Sequence, residues 1–190
     1  RKDRRVVAIT AGMPGGTGLG AFGKEFPDRY FDVGIAEQHG MAVASGMSRG
    51  GLKPVYGVYS TFCQRAYDQF VHDVCIQETP VVLCLDRAGL VEDGWTHHGV
   101  FDIAYMRCIP GAVLMAPRDG EEFVRMFQLA LEETRRVAVI RYPKAAVPVL
   151  PPSADPVLEI GKAEIMKEGQ GVAVIAYGSM VEAAWEAAST

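Results

Sequence analysis

Titratable side chains gather at a few places in this chain, and each place follows a short apolar run. The string Asp32-Val33-Gly34-Ile35-Ala36-Glu37-Gln38-His39 puts a carboxylate where a strand ends and a helix opens. Ligands of open α/β sheets bind at that carboxyl edge, although a first-turn carboxylate favoured by the helix dipole has the same spacing. A second string, Tyr59-Ser60-Thr61-Phe62-Cys63-Gln64-Arg65-Ala66-Tyr67-Asp68-Gln69, also runs from a strand end into a helix. Phe62, Ala66 and Phe70 share one helical face and read as core, which leaves Tyr59 and Arg65 at the surface. Asp86-Arg87-Ala88-Gly89 ends a third strand, and the loop beyond it, Glu92-Asp93-Gly94-Trp95-Thr96-His97-His98-Gly99, is dense in titratable groups. Polar loops beside a rigid sheet are where function concentrates. Arg141-Tyr142-Pro143 closes a fourth strand. Glu37, Arg87, His97 and Arg141 thus project from one edge of a single inferred sheet.

The glycine-rich stretch Gly12–Gly20 contains G-x-G-x-x-G at Gly18, Gly20 and Gly23. A dinucleotide fingerprint starts almost at the strand end, so that the helix N-terminus meets the pyrophosphate. Here seven residues intervene, Pro14 among them, and the next helix ends before Pro27. The stretch reads better as a connecting loop, or one touching another ligand, than as a nicotinamide or flavin site. A nicotinamide site would show pyrophosphate at the Gly18 loop.

The elements that position these residues alternate. Short, nearly continuous apolar runs at Val6–Thr10, Tyr30–Val33, Pro54–Val58, Val81–Asp86, Val113–Ala116 and Val137–Arg141 predict strands buried on both faces. Between them, helical spacing predicts Glu37–Ser48, Phe62–Cys75 and Gly120–Thr134. The last opens at Asp119, a good N-cap, with Glu122 placed to answer it, and Phe123, Met126, Phe127, Ala130 and Leu131 form its apolar face. The alternation predicts an α/β domain with a mostly parallel sheet and helices on both faces, over residues 1–147. Pro143, Pro148, Pro151, Pro152 and Pro156 break the pattern, and residues 148–156 read as a linker. Leu158–Met166, a Glu168-Gly169 turn, a strand at Val172–Tyr177 and a helix after Gly178-Ser179 then read as the start of a second α/β domain, 157–190, truncated and too short to close a core alone. The chain opens without Met and stops inside a helix, as a piece of something longer would.

With 190 residues, 49% apolar and 22% charged, the composition excludes a disordered tail, a collagen-like repeat and a disulfide miniprotein. The net charge of −4 brings no one-sided basic face, so no nucleic-acid groove is expected, and the basic stretch Arg1–Arg5 reads as a solvated chain end. No apolar run approaches the ~20 residues of a membrane helix. Cys63, Cys75, Cys84 and Cys108 form no Cys-x-x-Cys pair and read as reduced residues, three of them in core segments, which points to an intracellular compartment. No metal site is expected from them or from the four histidines.

The strings Met13-Pro14-x-Gly16-Thr17-Gly18-Leu19 and Phe26-Pro27-Asp28-Arg29-Tyr30-Phe31-Asp32-Val33-Gly34-Ile35-Ala36-Glu37-Gln38-His39 resemble the 1-deoxy-D-xylulose-5-phosphate synthases. So do Tyr59-Ser60-Thr61-Phe62-x-Gln64-Arg65-Ala66-Tyr67-Asp68-Gln69, Asp86-Arg87-Ala88-Gly89, Asp93-Gly94-x-Thr96-His97, Tyr105-x-Arg107-Cys108-Ile109-Pro110 and Arg141-Tyr142-Pro143. The resemblance covers essentially the whole chain. It implies the central pyrimidine-binding domain of a transketolase-like transferase, with the start of its C-terminal domain. Such enzymes condense pyruvate with glyceraldehyde 3-phosphate and release carbon dioxide, using thiamine diphosphate and Mg2+, on the way to isoprenoid precursors, thiamine and pyridoxal. The magnesium motif lies in a domain absent from this chain, so the chain alone should not turn over.

Residue by residue, the resemblance implies that Glu37 hydrogen-bonds ring nitrogen 1′ of the aminopyrimidine, and that Phe62 stacks on that ring. Ile35 and Met13 would pack near the cofactor, with Arg65 close to the ring. His97 would handle protons or hydrogen-bond oxygens of the reacting species, and Asp93 would orient that cluster. Tyr59, Arg87 and Arg141 would bind the aldehyde acceptor and its phosphate. This chain departs from the family in the loop after Val91, which lacks a Gly and carries Trp95 where Pro is common; that bears on Asp93, His97 and acceptor preference. His98 is assigned no more than a supporting or surface role. Another thiamine-dependent ketol transferase, transketolase-like, is the alternative enzyme, and a non-catalytic partner domain is the alternative outside enzymes. A homodimer is expected, with Met41, Met47, Phe70 and Val74 as a candidate face. The family implies a cytoplasmic protein, or a plastid one in a plant or alga.

Overall fold

Each of the six apolar runs predicted between Val6 and Arg141 contributes a strand. The computed structural model describes residues 3–132, 136–153 and 157–189. In it, β1 (Val6–Thr10), β2 (Tyr30–Asp32), β3 (Lys53–Tyr59), β4 (Val82–Asp86), β5 (Ala112–Met115) and β6 (Val137–Arg141) form one sheet. All pairs are parallel, in the order β2-β1-β3-β4-β6-β5. Alternate residues feed opposite layers. Leu83 and Leu85 face a cluster with Tyr56, Val58, Met41, Phe70 and Val74, whereas Val82 and Cys84 face one with Ala138, Ile140 and Ala130. A strand covered on both faces needs apolar side chains at every position, hence the unbroken runs. The strand order reverses between β1 and β3, and the crevice beyond their carboxyl ends is where such sheets hold ligands.

Helix α1 (Gly20–Glu25) is short, and α2 (Glu37–Arg49) covers one face of the sheet. At Gly40, α2 approaches β3 so closely that an added β-carbon would stand 2.7 Å from the buried Tyr56 ring. That approach lets the Tyr56 hydroxyl donate to the Glu37 carbonyl at 3.1 Å, which fixes the first turn of α2. Met41, Phe70 and Val74 are fully buried in this layer, and Met47 packs against it. The candidate dimer face is therefore corrected: the same periodicity that suggested a partner surface already serves the chain's own core.

The helix predicted over Phe62–Cys75 is interrupted. It is built from α3 (Ser60–Cys63), a 3-10 turn (Gln64–Ala66), α4 (Tyr67–Gln69) and a π-helical turn (Phe70–Cys75). Phe62, Ala66, Phe70 and Val74 recur every four residues, slower than a 3.6-residue turn. The widened turn keeps Phe70, Val74 and Cys75 all in the core. Ser45 and Thr79 hydroxyls donate to the Asp73 carbonyl at 2.6 and 2.8 Å and brace that turn.

Helix α5 (Asp102–Met106) precedes β5, and α6 (Gly120–Glu132) covers the second face with Phe123, Met126, Phe127, Ala130 and Leu131. Asp119 caps α6 as predicted, accepting the Glu122 N–H at 2.8 Å. Glu122 answers one residue earlier, accepting the Arg118 N–H at 2.7 Å. Residues 133–134, the predicted end of this helix, lie outside the described residues, as do Arg1, Lys2, Pro156 and Thr190.

Helix α7 (Met180–Ser189) forms after Gly178-Ser179, but Val172–Tyr177 does not pair as a strand. Val172, Val174 and Ile175 stand 63–94% exposed, and among the described residues no neighbouring strand offers them a ladder. The segment is tied back where Gly178 donates to the Ala116 carbonyl at 3.1 Å, and where buried Arg118 reaches the Pro151 carbonyl and Glu164. Among the described residues no helix is long and apolar enough to cross a membrane. Cys63, Cys75 and Cys84 are buried free thiols and Cys108 is exposed.

Candidate active site

The turns after β1 and β2 are pinned together by Asp32, whose Oδ1 accepts the N–H groups of Gly12 at 2.8 Å and Gly34 at 3.0 Å. Ile35 follows, 83% exposed, and Glu37 then begins α2 with its side chain buried. One carboxyl oxygen, Oε2, has no hydrogen-bond partner among the described residues. The Arg65 Nε lies 3.7 Å away, beyond hydrogen-bond reach, on a mostly exposed side chain. Leaving a buried polar atom unbonded costs about 1–3 kcal/mol, more if it is charged. Such an atom at the carboxyl edge of a parallel sheet is suited to a polar atom of a ligand. Thr10 Oγ1 at the end of β1 and Ser60 Oγ after β3 are likewise buried and unbonded.

Aromatic rings line the end of β3. Tyr59 and Phe62 stack with centroids 5.7 Å apart, and the His97 ring meets the Phe62 ring edge-on at 5.2 Å. The glycine-rich loop lies directly on this group, since a β-carbon at Gly16 would collide with the Tyr59 hydroxyl. The loop is thereby part of the site's wall. Met13, within it, packs against the sheet core.

Arg87 sits at the end of β4 in the left-handed backbone region, φ +60°. Its guanidinium lies 3.7 Å from the Tyr59 ring centroid. Nη1 donates to Asp86 at 3.0 Å and Nε to Asp93 at 3.1 Å. Burial pushes the Asp86 carboxyl above the usual carboxylate range, with Arg87 opposing. For Asp93 burial also raises, but Lys144 and Arg87 outweigh it and hold the group low. Lys144 bridges Asp93 at 3.3 Å and Glu92 at 2.7 Å. Asp93 thus meets Arg87 and Lys144, whereas His97 is held through Nδ1 by the Thr96 hydroxyl at 2.9 Å. His98 braces the same loop by accepting the Val91 N–H at 3.1 Å.

At the end of β6, Arg141 Nε donates to Asp102 at 2.9 Å, and Asp102 is buried. The structure therefore brings Tyr59, Phe62, Arg87, Asp93 and His97 into one connected group, and pairs Glu37 with Arg65. Arg141 belongs instead to a pair with Asp102. Sequence reasoning missed Asp102 and Lys144. A lone carboxylate in the apolar string Phe101-Asp102-Ile103-Ala104 was the available signal for the first. Nothing in the sequence marked the second. Among the described residues, no three His, Cys, Asp or Glu side chains are grouped as metal ligands.

Residues 1–149 match the family described as transketolase, pyrimidine binding domain. Among curated relatives, a 1-deoxy-D-xylulose-5-phosphate synthase of Thermomicrobium roseum is 54% identical over 189 residues, 98% of this chain and 30% of the relative. Another, from Gloeobacter violaceus, is 50% identical over 192 residues, 99% of this chain and 30% of the relative. The chain thus spans about 30% of the length of these relatives. Among solved structures, a split-gene transketolase in an inactive β4 tetramer aligns with TM-score 0.87 and 31% identity, over 99% of this chain and 61% of that one. A Pichia stipitis transketolase with TM-score 0.64 and 22% identity shares the fold, over 72% of this chain and 22% of that one.

Proposed function

The chain belongs to the transketolase pyrimidine-binding domain family, and from that we propose that it is the pyrimidine-binding part of a 1-deoxy-D-xylulose-5-phosphate synthase. The enzyme would join pyruvate to glyceraldehyde 3-phosphate with loss of carbon dioxide, using thiamine diphosphate. One observation carries the reading: the buried Glu37 carboxyl with Oε2 unbonded at the carboxyl edge of the sheet. Its chemistry fits a cofactor whose ring nitrogen needs a hydrogen-bonding carboxyl. Mg2+ would be held by a part of the enzyme outside this chain. Residues from 157 onward would begin its next domain. The enzyme would act as a homodimer in the cytoplasm, or in a plastid in a plant or alga.

When bound, thiamine diphosphate supplies the nucleophilic carbon and the electron sink for decarboxylation. This chain's residues supply placement and protons. Glu37 holds a proton at Oε2 toward ring nitrogen 1′, and Phe62, already braced by Tyr59 and His97, offers its face to the pyrimidine. Arg65, Ile35 and Met13 border the same ring. His97 keeps Nδ1 on Thr96, so Nε2 is the nitrogen that exchanges protons with substrate oxygens. Tyr59, Arg87 and Arg141 recognise the acceptor and its phosphate, for which guanidinium forks are well matched. Asp93 positions Arg87 through their direct bond.

The test follows carbon dioxide release from pyruvate by the full-length protein with thiamine diphosphate and Mg2+, with and without glyceraldehyde 3-phosphate. Acceptor-dependent release, lost in Glu37→Ala, supports the synthase. The likeness to a split transketolase favours a second reading, two-carbon transfer from a ketose phosphate. That transfer without carbon dioxide release would replace the first.

A further inference from the structure

The two arginines proposed to recognise the acceptor differ in what the protein has already done with them. Arg87 has two of its three nitrogens engaged, Nε on Asp93 and Nη1 on Asp86. Arg141 has one protein partner among the described residues: Nε donates to Asp102 Oδ2 at 2.9 Å. Its two terminal nitrogens remain to meet an anion. Asp102 is nearly fully buried, with a side-chain exposure of 1%, and its other oxygen accepts the Ile103 N–H at 2.8 Å. Both carboxylate oxygens are therefore committed, and the carboxylate plane cannot turn freely.

A guanidinium is a flat fork whose orientation is set once Nε and its plane are fixed. The Nε edge faces Asp102, so the remaining pair of N–H groups is turned away from that carboxylate and can grip a phosphate end-on, with two parallel bonds. The carboxylate takes some of the positive charge from the fork. It removes more of the rotational freedom that an unfixed side chain would lose on binding. Asp102 is itself held by the chain around β4. Gly99, three residues before it, exchanges hydrogen bonds with Gly89 at 2.8 and 2.9 Å, and Ala88 donates to the Tyr142 carbonyl at 3.0 Å. The ends of β4 and β6 and the start of α5 thus form one frame.

Resting on the function proposed above, we infer that Asp102 is a positioning residue that sets the Arg141 fork and gives the site its preference for a phosphorylated acceptor. Asp102 touches no substrate in this scheme. It acts through Arg141 alone, and that dependence is what an experiment reads.

The test uses the full-length protein with thiamine diphosphate and Mg2+, and compares glyceraldehyde 3-phosphate with unphosphorylated glyceraldehyde, both by KM and by calorimetric titration. Asp102→Asn keeps the size and the acceptor oxygen but weakens the charge-assisted bond to Arg141. It should raise KM for the phosphorylated aldehyde about tenfold relative to the unphosphorylated one. In an Arg141→Ala background the same change should add nothing, because the two act as one unit. Arg141→Lys retains the charge but offers no Nε N–H to Asp102. That variant reads Arg141 alone; if Asp102→Asn fails to fold, Asp102→Glu, which keeps the charge but displaces the carboxylate by one methylene from the Arg141 Nε, should show the same loss of selectivity, and an unchanged ratio there overturns the positioning role. An equal loss with both aldehydes, or additive effects in the double variant, overturns the positioning role and leaves the proposed synthase standing. If Arg141→Ala binds the two aldehydes in the wild-type ratio, the acceptor assignment of Arg141 falls, and this inference with it.

Discussion

Replacing Arg87 by Ala should destabilise the domain more than any other change at the site. The side chains of Arg87 and Asp86 are 9% and 10% exposed and bonded at 3.0 Å. Removing one partner of a buried ion pair costs about 3–5 kcal/mol, because the other charge stays behind unpaired. The second bond, to Asp93, adds little. That carboxylate is 26% exposed and keeps Lys144, and exposed pairs contribute ~1 kcal/mol or less. We therefore place Arg87→Ala at about 3–4 kcal/mol, a fall in Tm of roughly 6–16 °C for a domain of this size. Asp86→Asn in the same chain should return about half of the loss, since the residual penalty is the stranded carboxylate. The pH dependence has a definite sign. Burial raises the Asp86 pKa above its unfolded value and Arg87 opposes the rise. Protonated Asp86 therefore favours the folded state, and that contribution is full below the ordinary carboxylate range and lost as pH rises through the raised value. Without Arg87 the pKa climbs further. The gap between wild type and Arg87→Ala should be widest above that pKa and should narrow as pH falls past it. Differential scanning calorimetry across pH reads all of this. A loss below about 1 kcal/mol, or one that is pH-independent and not recovered by Asp86→Asn, refutes the buried-pair reasoning.

Arg87 also carries a positive φ of +60°, so Arg87→Gly should be about 1 kcal/mol less destabilising than Arg87→Ala in the same melts; equal losses count against a strained backbone. In the full-length protein Glu37→Ala should slow carbon dioxide release about 10²–10⁴-fold without lowering Tm, because it removes a buried carboxyl oxygen that lacks a hydrogen bond, and a decrease smaller than tenfold would remove Glu37 from the proton path. Gly40→Ala forces a β-carbon against the Tyr56 ring at 2.7 Å and should cost roughly 1–3 kcal/mol, seen as a lower Tm. Burial pushes the Cys63 and Cys84 thiols up to about 12 and Cys75 to about 11. Peptide mapping after maleimide treatment at mildly alkaline pH should therefore find Cys108 labelled in the native protein and the other three only after denaturation. Native labelling of Cys84 at the Cys108 rate would contradict the packing described.

Strand positions were legible because a strand covered on both faces must be apolar throughout. Val82–Asp86 announces itself in that way without knowledge of its neighbours. The convergence of Glu37, Arg87 and Arg141 on one edge was legible too. In a parallel sheet every strand ends at the same side, so residues just after strands share an edge whatever the strand order. Periodicity also revealed which faces of the helical segments are apolar. It did not reveal what covers them, and so Met41, Phe70 and Val74 suggested a partner surface while they line this chain's own core.

What the tertiary structure decided is pairing. Local spacing cannot say that Asp93 meets Arg87 and Lys144, that Asp102 holds Arg141 across 39 residues, or that the Gly16 turn rests on Tyr59. Each contact joins elements that neither periodicity nor local propensity connects. It also decided the helix after β3, where helical propensity yields to burial of three core side chains and the turn widens. The segment Val172–Tyr177 shows the opposite limit. Its β-branched alternation is a local property, but a strand exists only when a neighbour supplies the other half of its hydrogen bonds. Sequence thus determined which residues stand at the edge and what kinds of chemistry they carry. Packing determined which of those charges neutralise one another and which remain to meet a ligand.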